Sequence, residues 1–361
     1  MSTKAFNHSL PVETSEAIMD CLPVSDLLTL SKSCKQTRTD VTKYKERVFS
    51  IQHAYRNFFN IEEIAQFQKL QSAIGLLVSG SIVLEFFNRE RYNGDLDAFC
   101  NIRYCAIAGE WLTSHGYSFQ PKQNQPLDFN DSFSQISNNN QTRLTTTDED
   151  LENYDSNTVA GVWDFMRNTS KIQLIATCGA PLECIFSFHS TCVMNVFTHR
   201  AAYCFFSKLT LEDKVTMLID LQAPLTEREM YPIRKYEDRG FTIMHRPTFR
   251  LICDPSSSLS VLTARYIGDK HCCRVPFHQY DNYTPDIDFL ELNSWAMAYT
   301  PNYNTIHITV LDIPGAVVDC VFGPKNFAQI RTQLSAIESL IKTGALRYER
   351  ISTMEKKQTL I

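Results

Sequence analysis

The fold of this chain is decided by the stretch Ile74-Gly75-Leu76-Leu77-Val78-Ser79-Gly80-Ser81. A short continuous apolar run that ends at a Gly-Ser pair is typical of a buried strand followed by a tight turn. The next residues, Ile82 to Phe87, have helical spacing. Asp95-Leu96-Asp97-Ala98-Phe99 then alternates polar and apolar residues, which is the period of a strand. The order of strand, helix and strand predicts an α/β core that begins at Ile74.

The alternation of helices and strands continues towards residue 205. Tyr104 to Ser114 has helical spacing, while Lys171 to Ile175 and Thr191 to Phe197 have the composition of strands. Between them, Phe119 to Tyr154 is rich in Asn, Gln, Ser, Thr and Asp, so we expect a mobile surface insertion. We therefore predict a core at 74–205 with a polar insertion at 119–154. A helical and then strand-rich region follows at 206–345, with a closing helix from Phe327 to Thr343, and a polar tail at 346–361.

The beginning of the chain predicts a small helical module. A first helix opens at a Leu-Pro pair and ends at a second one, and the next helix continues the apolar stripe. The residues that define this pattern are Leu10, Pro11, Ile18, Leu22, Pro23, Leu27 and Leu30. We assign 8–47 to an all-α module and 48–73 to a connecting helix. The predicted class is α+β, with the α/β core and a strand-rich C-terminal extension following the module.

The composition argues against several classes of protein. Lys and Arg number 35 against 40 Asp and Glu, so no positive field attracts a polyanion, and nucleic-acid binding is not expected as the main role. The apolar stretches are interrupted long before the roughly 20 residues that span a bilayer, so we expect no membrane partner. Twelve Cys are sparse in 361 residues, and Met1 to Ser9 has no secretory pattern. We expect reduced thiols and a cytoplasmic or nuclear location.

The two Leu-Pro pairs carry a family resemblance. Leu10-Pro11-x-Glu13 and Leu22-Pro23-x-x-Asp26-Leu27 resemble the F-box, the module by which substrate receptors bind the Skp linker subunit of cullin-based ubiquitin ligases. The resemblance implies that the seven residues named above bind this linker. Two short amphipathic helices cannot bury both of their faces alone, so the remaining apolar surface must meet the following domain or a partner.

A second resemblance rests on Gly80-Ser81 followed by Asp95-x-Asp97. This pattern is similar to the nucleotidyltransferase superfamily of the polymerase-beta kind. The resemblance implies that Gly80 and Ser81 bind the phosphates of a nucleotide at a helix N-terminus, and that Asp95 and Asp97 are catalytic ligands of Mg²⁺. Strand alternation places Asp95 and Asp97 on one face, where both carboxylates could bind one cation.

One part of the transferase pattern is missing. Two-metal phosphoryl transfer also needs a third carboxylate on a neighbouring strand. The matching strand, Lys171 to Ile175, offers Gln173 instead, and Phe188-His189 stands where related sequences have Phe-Asp. We therefore expect a nonenzymatic scaffold.

Taken whole, the chain resembles F-box proteins of mushroom-forming fungi, in which a stretch like Phe186-Ser187-Phe188-His189-Ser190-Thr191-Cys192-Val193-Met194-Asn195 recurs. The patterns together favour a protein-interaction adaptor, an F-box-type substrate receptor that docks the Skp-like linker protein and presents an unknown target protein. Two alternatives stay open. One is a Mg²⁺-dependent nucleotidyltransferase acting on a protein, RNA or small molecule, and the other is a bare scaffold whose N-terminal helices only pack on the main domain.

Overall fold

The N-terminal module consists of three helices that pack on the rest of the chain. The computed structural model describes residues 10–92, 94–138, 158–219, 221, 225–277, 288–301, 305–312 and 321–322. The helices are α1 (Val12–Asp20), α2 (Val24–Leu30) and α3 (Lys35–Val48). Each contributes buried side chains to the core of the main domain, namely Met19, Val24, Leu27, Val41 and Tyr44. One side of the module is therefore part of the hydrophobic core.

Two helices, α4 (Ile51–Tyr55) and α5 (Ile61–Ile74), replace the single connecting helix predicted for 48–73. The break has a local cause. Asn60 and Glu63 form a capping box, in which each side chain accepts a hydrogen bond from the other residue's backbone N–H, and this arrangement starts a new helix at Ile61. Gly75, with φ of 69°, ends α5 in the left-handed conformation that glycine adopts without strain.

Helices and strands alternate in the main domain. The further helices are α6 (Ser81–Asn88), α7 (Ile102–Ser114), α8 (Phe129–Asn138), α9 (Pro181–Phe186), α10 (Glu227–Glu237) and α11 (Phe249–Cys253). The strands are β1 (Leu77–Ser79), β2 (Leu96–Asn101), β3 (Ser118–Gln120), β4 (Val159–Arg167), β5 (Ser170–Thr177), β6 (Asn195–Phe197), β7 (Ala201–Cys204), β8 (Val215–Met217), β9 (Thr242–Met244), β10 (Ala264–Tyr266), β11 (Cys273–Pro276), β12 (Ser294–Thr300), β13 (Thr305–Thr309), β14 (Leu311–Asp312) and β15 (Val321–Phe322). The mixture of helices with a mixed sheet confirms the α+β class.

An eight-stranded sheet lies at the centre, in the order β11-β7-β6-β1-β2-β5-β4-β3. Strands β2 and β5 run parallel, and the other neighbours in this sheet run antiparallel. One face, with Ala98 and Leu174, packs against the N-terminal helices. The opposite face, with Phe99 and Ile175, packs against the C-terminal half of the chain. Both faces of the sheet are therefore covered over much of their area.

Two predicted boundaries need correction. The boundary at 205 divides the central sheet, because β11, from residues 273–276, pairs with β7. The predicted insertion at 119–154 begins inside the fold, because β3 is the edge strand of the sheet and α8 packs on the sheet. Phe129 of α8 is buried with its ring centroid 5.5 Å from that of Trp163. The rest of that insertion, the closing helix at 327–343 and the tail at 346–361 lie outside the described residues.

Smaller sheets complete the C-terminal half: β10-β12-β13, the parallel pair β8-β9, and β14-β15. A buried arginine ties this region together. Arg265 is 1% exposed, and its guanidinium contacts the Asp269 carboxylate, donates to the carbonyl oxygens of Ser258 and Phe205, and lies over the ring of Trp295. Within the ranges given above, no helix is long and apolar enough to cross a membrane.

Candidate functional site

A row of polar side chains crosses one face of the central sheet. Ser79 lies opposite Asp97, Asp97 opposite Gln173, and Gln173 opposite Asp164. Directly opposed residues point to the same face of a sheet, so four strands supply one continuous polar row. The row one step further along the strands is apolar and covered by the C-terminal half, and its members are Leu77, Phe99, Ile175 and Val162. The polar row lies at the edge of the apolar contact between the sheet and the C-terminal half of the chain.

The turn at Gly80-Ser81 lies directly beside the polar row. Gly80 has φ of 81°, and a Cβ atom placed on it would lie 2.3 Å from Oδ2 of Asp97. Gly94, on the segment that leads back to β2, similarly leaves room for Oγ of Ser81, which would lie 2.0 Å from an added Cβ. The structure therefore brings together Gly80, Ser81, Asp95 and Asp97, as the sequence predicts. Their role in binding a nucleotide or a metal stays a prediction.

A lysine occupies the space between the carboxylates. Nζ of Lys171 lies 2.9 Å from Oδ2 of Asp95 and 3.6 Å from Oδ2 of Asp164. Nε2 of Gln173 donates to Oδ1 of Asp164 at 2.9 Å, and Nζ of Lys122 is 3.8 Å from that same oxygen. Burial opposes the charge of Lys171, but the hydrogen bond that its ammonium donates to Asp95 and the negative charges of Asp164, Asp95 and Asp97 outweigh burial and raise the pKa of Lys171. Lys171 therefore keeps its positive charge beside these carboxylates at neutral pH.

Asp97 has a different environment from the other two carboxylates. Burial, and then the negative charge of Asp95, raise its pKa to about 7, while Lys235 and Lys171 act in the opposite direction. Among the described residues, no side-chain or backbone donor hydrogen-bonds to the Asp97 carboxylate. Asp97 therefore changes its protonation state close to neutral pH.

Helix α10 and the turn that follows it bring two cations, Lys235 and Arg239, and the ring of Tyr236 near this face. Burial, and then Arg239, lower the pKa of Lys235, although part of its side chain is exposed. The guanidinium of Arg239 stacks on Tyr92, 3.9 Å from the ring centroid. The ring of His189 lies 5.9 Å from that of Tyr236, and burial lowers the pKa of His189 to about 4. His189 is therefore neutral at physiological pH and does not supply the negative charge of a metal-binding carboxylate.

The residues present do not fit the Mg²⁺ that the transferase resemblance implies. Mg²⁺ is held by carboxylate oxygens at about 2.0–2.1 Å in octahedral geometry. The Lys171 ammonium already contacts two of the three carboxylates, Asp95 and Asp164, and the amide of Gln173 donates a hydrogen bond to Asp164 as well. No group of three or more His, Cys, Asp or Glu side chains in the described part of the chain is arranged to hold a metal ion.

Sequence reasoning missed Asp164, because the strand that carries it was not predicted. Val159 to Arg167 contains Trp163 and Phe165 on one face and Val162 and Asp164 on the other, which is the period-2 signal of a strand. That signal follows directly on the polar segment and was available from the sequence.

The N-terminal module presents a second candidate surface. Leu10, Val12 and Ile18 are 53%, 68% and 47% exposed. Pro11 is also exposed, and the predicted partner-binding residues Leu22, Pro23 and Leu30 are half-buried. The sequence pattern did not include Val12. These exposed large apolar side chains, within nine residues of each other, are apolar area that the described core does not use.

Leu27 does not belong to this surface. It is completely buried and packs in the core cluster with Met19 and Val24. Helical spacing predicts an apolar stripe on α2, and the structure shows that this stripe faces the main domain. The assignment of Leu27 as a partner-binding residue is therefore corrected to a core residue.

Arg89 fastens the module to the main domain. It follows the last residue of α6 and adopts φ of 60°. Its Nη1 donates to the carbonyl oxygen of Met19 at 2.8 Å and to Oη of Tyr44 at 2.9 Å, and its Nη2 donates to the carbonyl oxygen of Leu22 at 2.5 Å. These carbonyls lie at the C-terminal end of α1, where helix carbonyls lack partners within the helix and a cation is favourable. The module is thus held by both apolar packing and a charged clamp.

Comparisons of this chain with protein-family models, with curated proteins and with solved structures give no match.

Proposed function

We propose that this protein is a protein-interaction adaptor of the F-box type, whose N-terminal module docks the Skp linker subunit of a cullin-based ubiquitin ligase. The observation that carries the proposal is that the module has apolar residues left in water besides those it buries in the core. Met19, Val24 and Leu27 are buried in the core, whereas Leu10 and Ile18 remain about half exposed. A module with some apolar residues fixed in the core and others in water is suited to bind a partner without detaching from its own domain.

The exposed residues are sufficient in kind and number for a docking anchor. Complete burial of a Leu, Ile or Val side chain contributes about 1.5–3 kcal/mol. Leu10, Val12 and Ile18 each keep about half or more of their surface for a partner. Together they supply a few kcal/mol of apolar burial, which is the scale on which a small number of residues dominate an interface. The clamp at Arg89 holds the C-terminal end of α1, the helix that carries Val12 and Ile18.

The main domain takes the second role of the adaptor, which is to present an unknown target protein. Two of the three carboxylates on its polar face are already contacted by Lys171, one of them also by Gln173, and this supports a scaffold rather than a Mg²⁺-dependent transferase. We therefore do not advance the transferase as a second function. The bare scaffold differs from the proposal in one respect only: it leaves the exposed apolar residues without a partner.

The proposal is tested by co-expression of the full chain with the Skp linker and gel filtration of the purified protein. The paired substitution Leu10→Asp with Ile18→Asp places charges on the proposed surface. The matched control is Ile61→Asp with Leu127→Asp, since these residues are 73% and 88% exposed and lie outside the module. We expect the linker to co-elute with the wild type and the control, and to be lost from the first pair. Co-elution that survives Leu10→Asp with Ile18→Asp, or a wild type that elutes alone, contradicts the proposal.

A further inference from the structure

The three carboxylates Asp95, Asp97 and Asp164, which we call the acidic row, already have a cationic side chain of the protein beside them. We propose that Lys171 is the resident cation of the acidic row, and that this face of the sheet operates without a divalent metal. The inference is independent of the adaptor function, because it concerns the main domain and not the N-terminal module.

The register of the sheet fixes the position of Lys171. Leu96 pairs with Ile172 across the parallel strands β2 and β5, which places the preceding residues, Asp95 and Lys171, side by side. On the other side, Lys171 pairs with Met166 of β4, two residues from Asp164. The ammonium therefore reaches carboxylates on both neighbouring strands. Its side chain is only 29% exposed, so it cannot turn to solvent without giving up both carboxylate contacts.

A divalent metal would need the oxygen atoms that Lys171 already contacts. These are Oδ2 of Asp95, at 2.9 Å from Nζ, and Oδ2 of Asp164, at 3.6 Å. A metal bound to either oxygen would lie within a few ångströms of the ammonium, and two positive charges at that separation repel strongly in a partly buried site. The Lys171 ammonium and a divalent metal therefore cannot both bind these two carboxylate oxygens.

The protein's own donors also satisfy the rest of the row. Oδ1 of Asp164 accepts a hydrogen bond from Gln173, and Lys122 lies beside the same oxygen. An amide donates to a carboxylate but adds no negative charge, so Gln173 satisfies Asp164 without supplying the charge that a divalent metal needs. Within the described residues, Asp97 is the carboxylate of the row that is left without a hydrogen bond.

The test measures Mn²⁺ binding to the intact chain by electron paramagnetic resonance of the free aquo ion, together with thermal unfolding in Mg²⁺. Lys171→Met removes the charge and keeps the length of the stem, and Lys171→Arg keeps the charge. Lys270→Met removes an equal charge from an exposed position and serves as the matched control. We expect no saturable binding by the wild type, Lys171→Arg or Lys270→Met. Lys171→Met should bind Mn²⁺ at least about tenfold more tightly, and adding Asp95→Asn should abolish the gain.

Two results would overturn the inference. One is saturable Mn²⁺ binding by the wild type that is lost in Asp95→Asn with Asp97→Asn, and the other is a folded Lys171→Met that gains no affinity. If Lys171→Met does not fold, the wild type and the Asp95→Asn, Asp97→Asn double variant decide the matter. Equal Mn²⁺ binding by these two proteins supports a resident ammonium, and weaker binding by the double variant overturns it.

Discussion

Replacing Asp97 by Asn should stabilise the protein near pH 8 and leave it almost unchanged near pH 4. The Asp97 carboxyl has a pKa of about 7 in the folded protein, against 3.8 for an ordinary aspartate. Below pH 3.8 both the folded and the unfolded chain carry the proton, so Asp97 has no effect. As pH rises from about 4 to 7 the unfolded chain ionises first, and the free energy of unfolding falls. Above pH 7 the folded protein carries the whole cost of a charged Asp97.

The size of this effect follows from the pKa difference. About three pH units correspond to roughly 4 kcal/mol at about 1.36 kcal/mol for each unit, which is an upper limit. Asp97 keeps part of its surface exposed, and solvent screening reduces the figure to about 2 kcal/mol. Asparagine has nearly the same shape and no charge, so Asp97→Asn should recover about 2 kcal/mol at pH 8 and less than about 0.5 kcal/mol at pH 4.

The assay is urea unfolding of the wild type and Asp97→Asn at pH 4, 5, 6, 7 and 8, followed by tryptophan fluorescence. Titrating groups that do not interact with Asp97, including His189, contribute equally to both proteins and cancel in the difference. Asp254→Asn is a control of opposite sign, because hydrogen bonds from Ser256 lower the pKa of Asp254. That variant should lose stability at pH 8 and not at pH 4. A stability gain in Asp97→Asn that does not change with pH, or that is larger at pH 4, would refute the reasoning.

Three further substitutions test the packing, each by the urea midpoint at pH 7. Gly80→Ala should cost at least about 2 kcal/mol, because its Cβ would displace the carboxylate of Asp97. Gly240 has the same φ of 81°, but a Cβ atom there meets no atom within 4 Å, so Gly240→Ala should cost only about 1 kcal/mol. Equal costs would contradict the close approach of Gly80 to Asp97. Arg265→Met should cost about 3–5 kcal/mol because it leaves Asp269 buried and unpaired, and adding Asp269→Asn should restore part of the loss. Arg89→Met removes three hydrogen bonds of a charged group and should cost about 3 kcal/mol. It should also make residues 10–48 more sensitive to protease, and unchanged proteolysis would contradict the clamp.

The parts of the fold that depend on local sequence were predictable. The apolar run before Gly80 and the helical spacing after it correspond to β1 and α6, and the alternation at Asp95-x-Asp97 leads into β2. The period of the side chains and the turn residues determine these elements, and both can be read from residues that are close together in the sequence.

Long-range pairing was not predictable from those signals. The sequence gives no sign that β11 joins β7 across about 70 residues, because strand partners are chosen by the whole sheet and not by local period. The contact of Lys171 with Asp95 and Asp164 has the same origin, since it depends on the register of β5 with both β2 and β4. The chemical character of the site therefore became visible only when three strands were placed side by side.

The N-terminal module shows a related limit. Its helices and both Leu-Pro pairs were identified, but helical period alone does not say which side of a stripe meets the domain. Leu27 therefore belongs to the core, and Val12, which the pattern omitted, belongs to the exposed surface.

The most direct test of the adaptor proposal is a calorimetric titration of the full-length protein with the purified Skp linker, repeated on single alanine variants. The proposal predicts saturable binding by the wild type, at least about tenfold weaker binding by Leu10→Ala, Val12→Ala and Ile18→Ala, and unchanged binding by Leu127→Ala. Binding that is equal in all five proteins, or a wild type that shows no saturable binding, would contradict it.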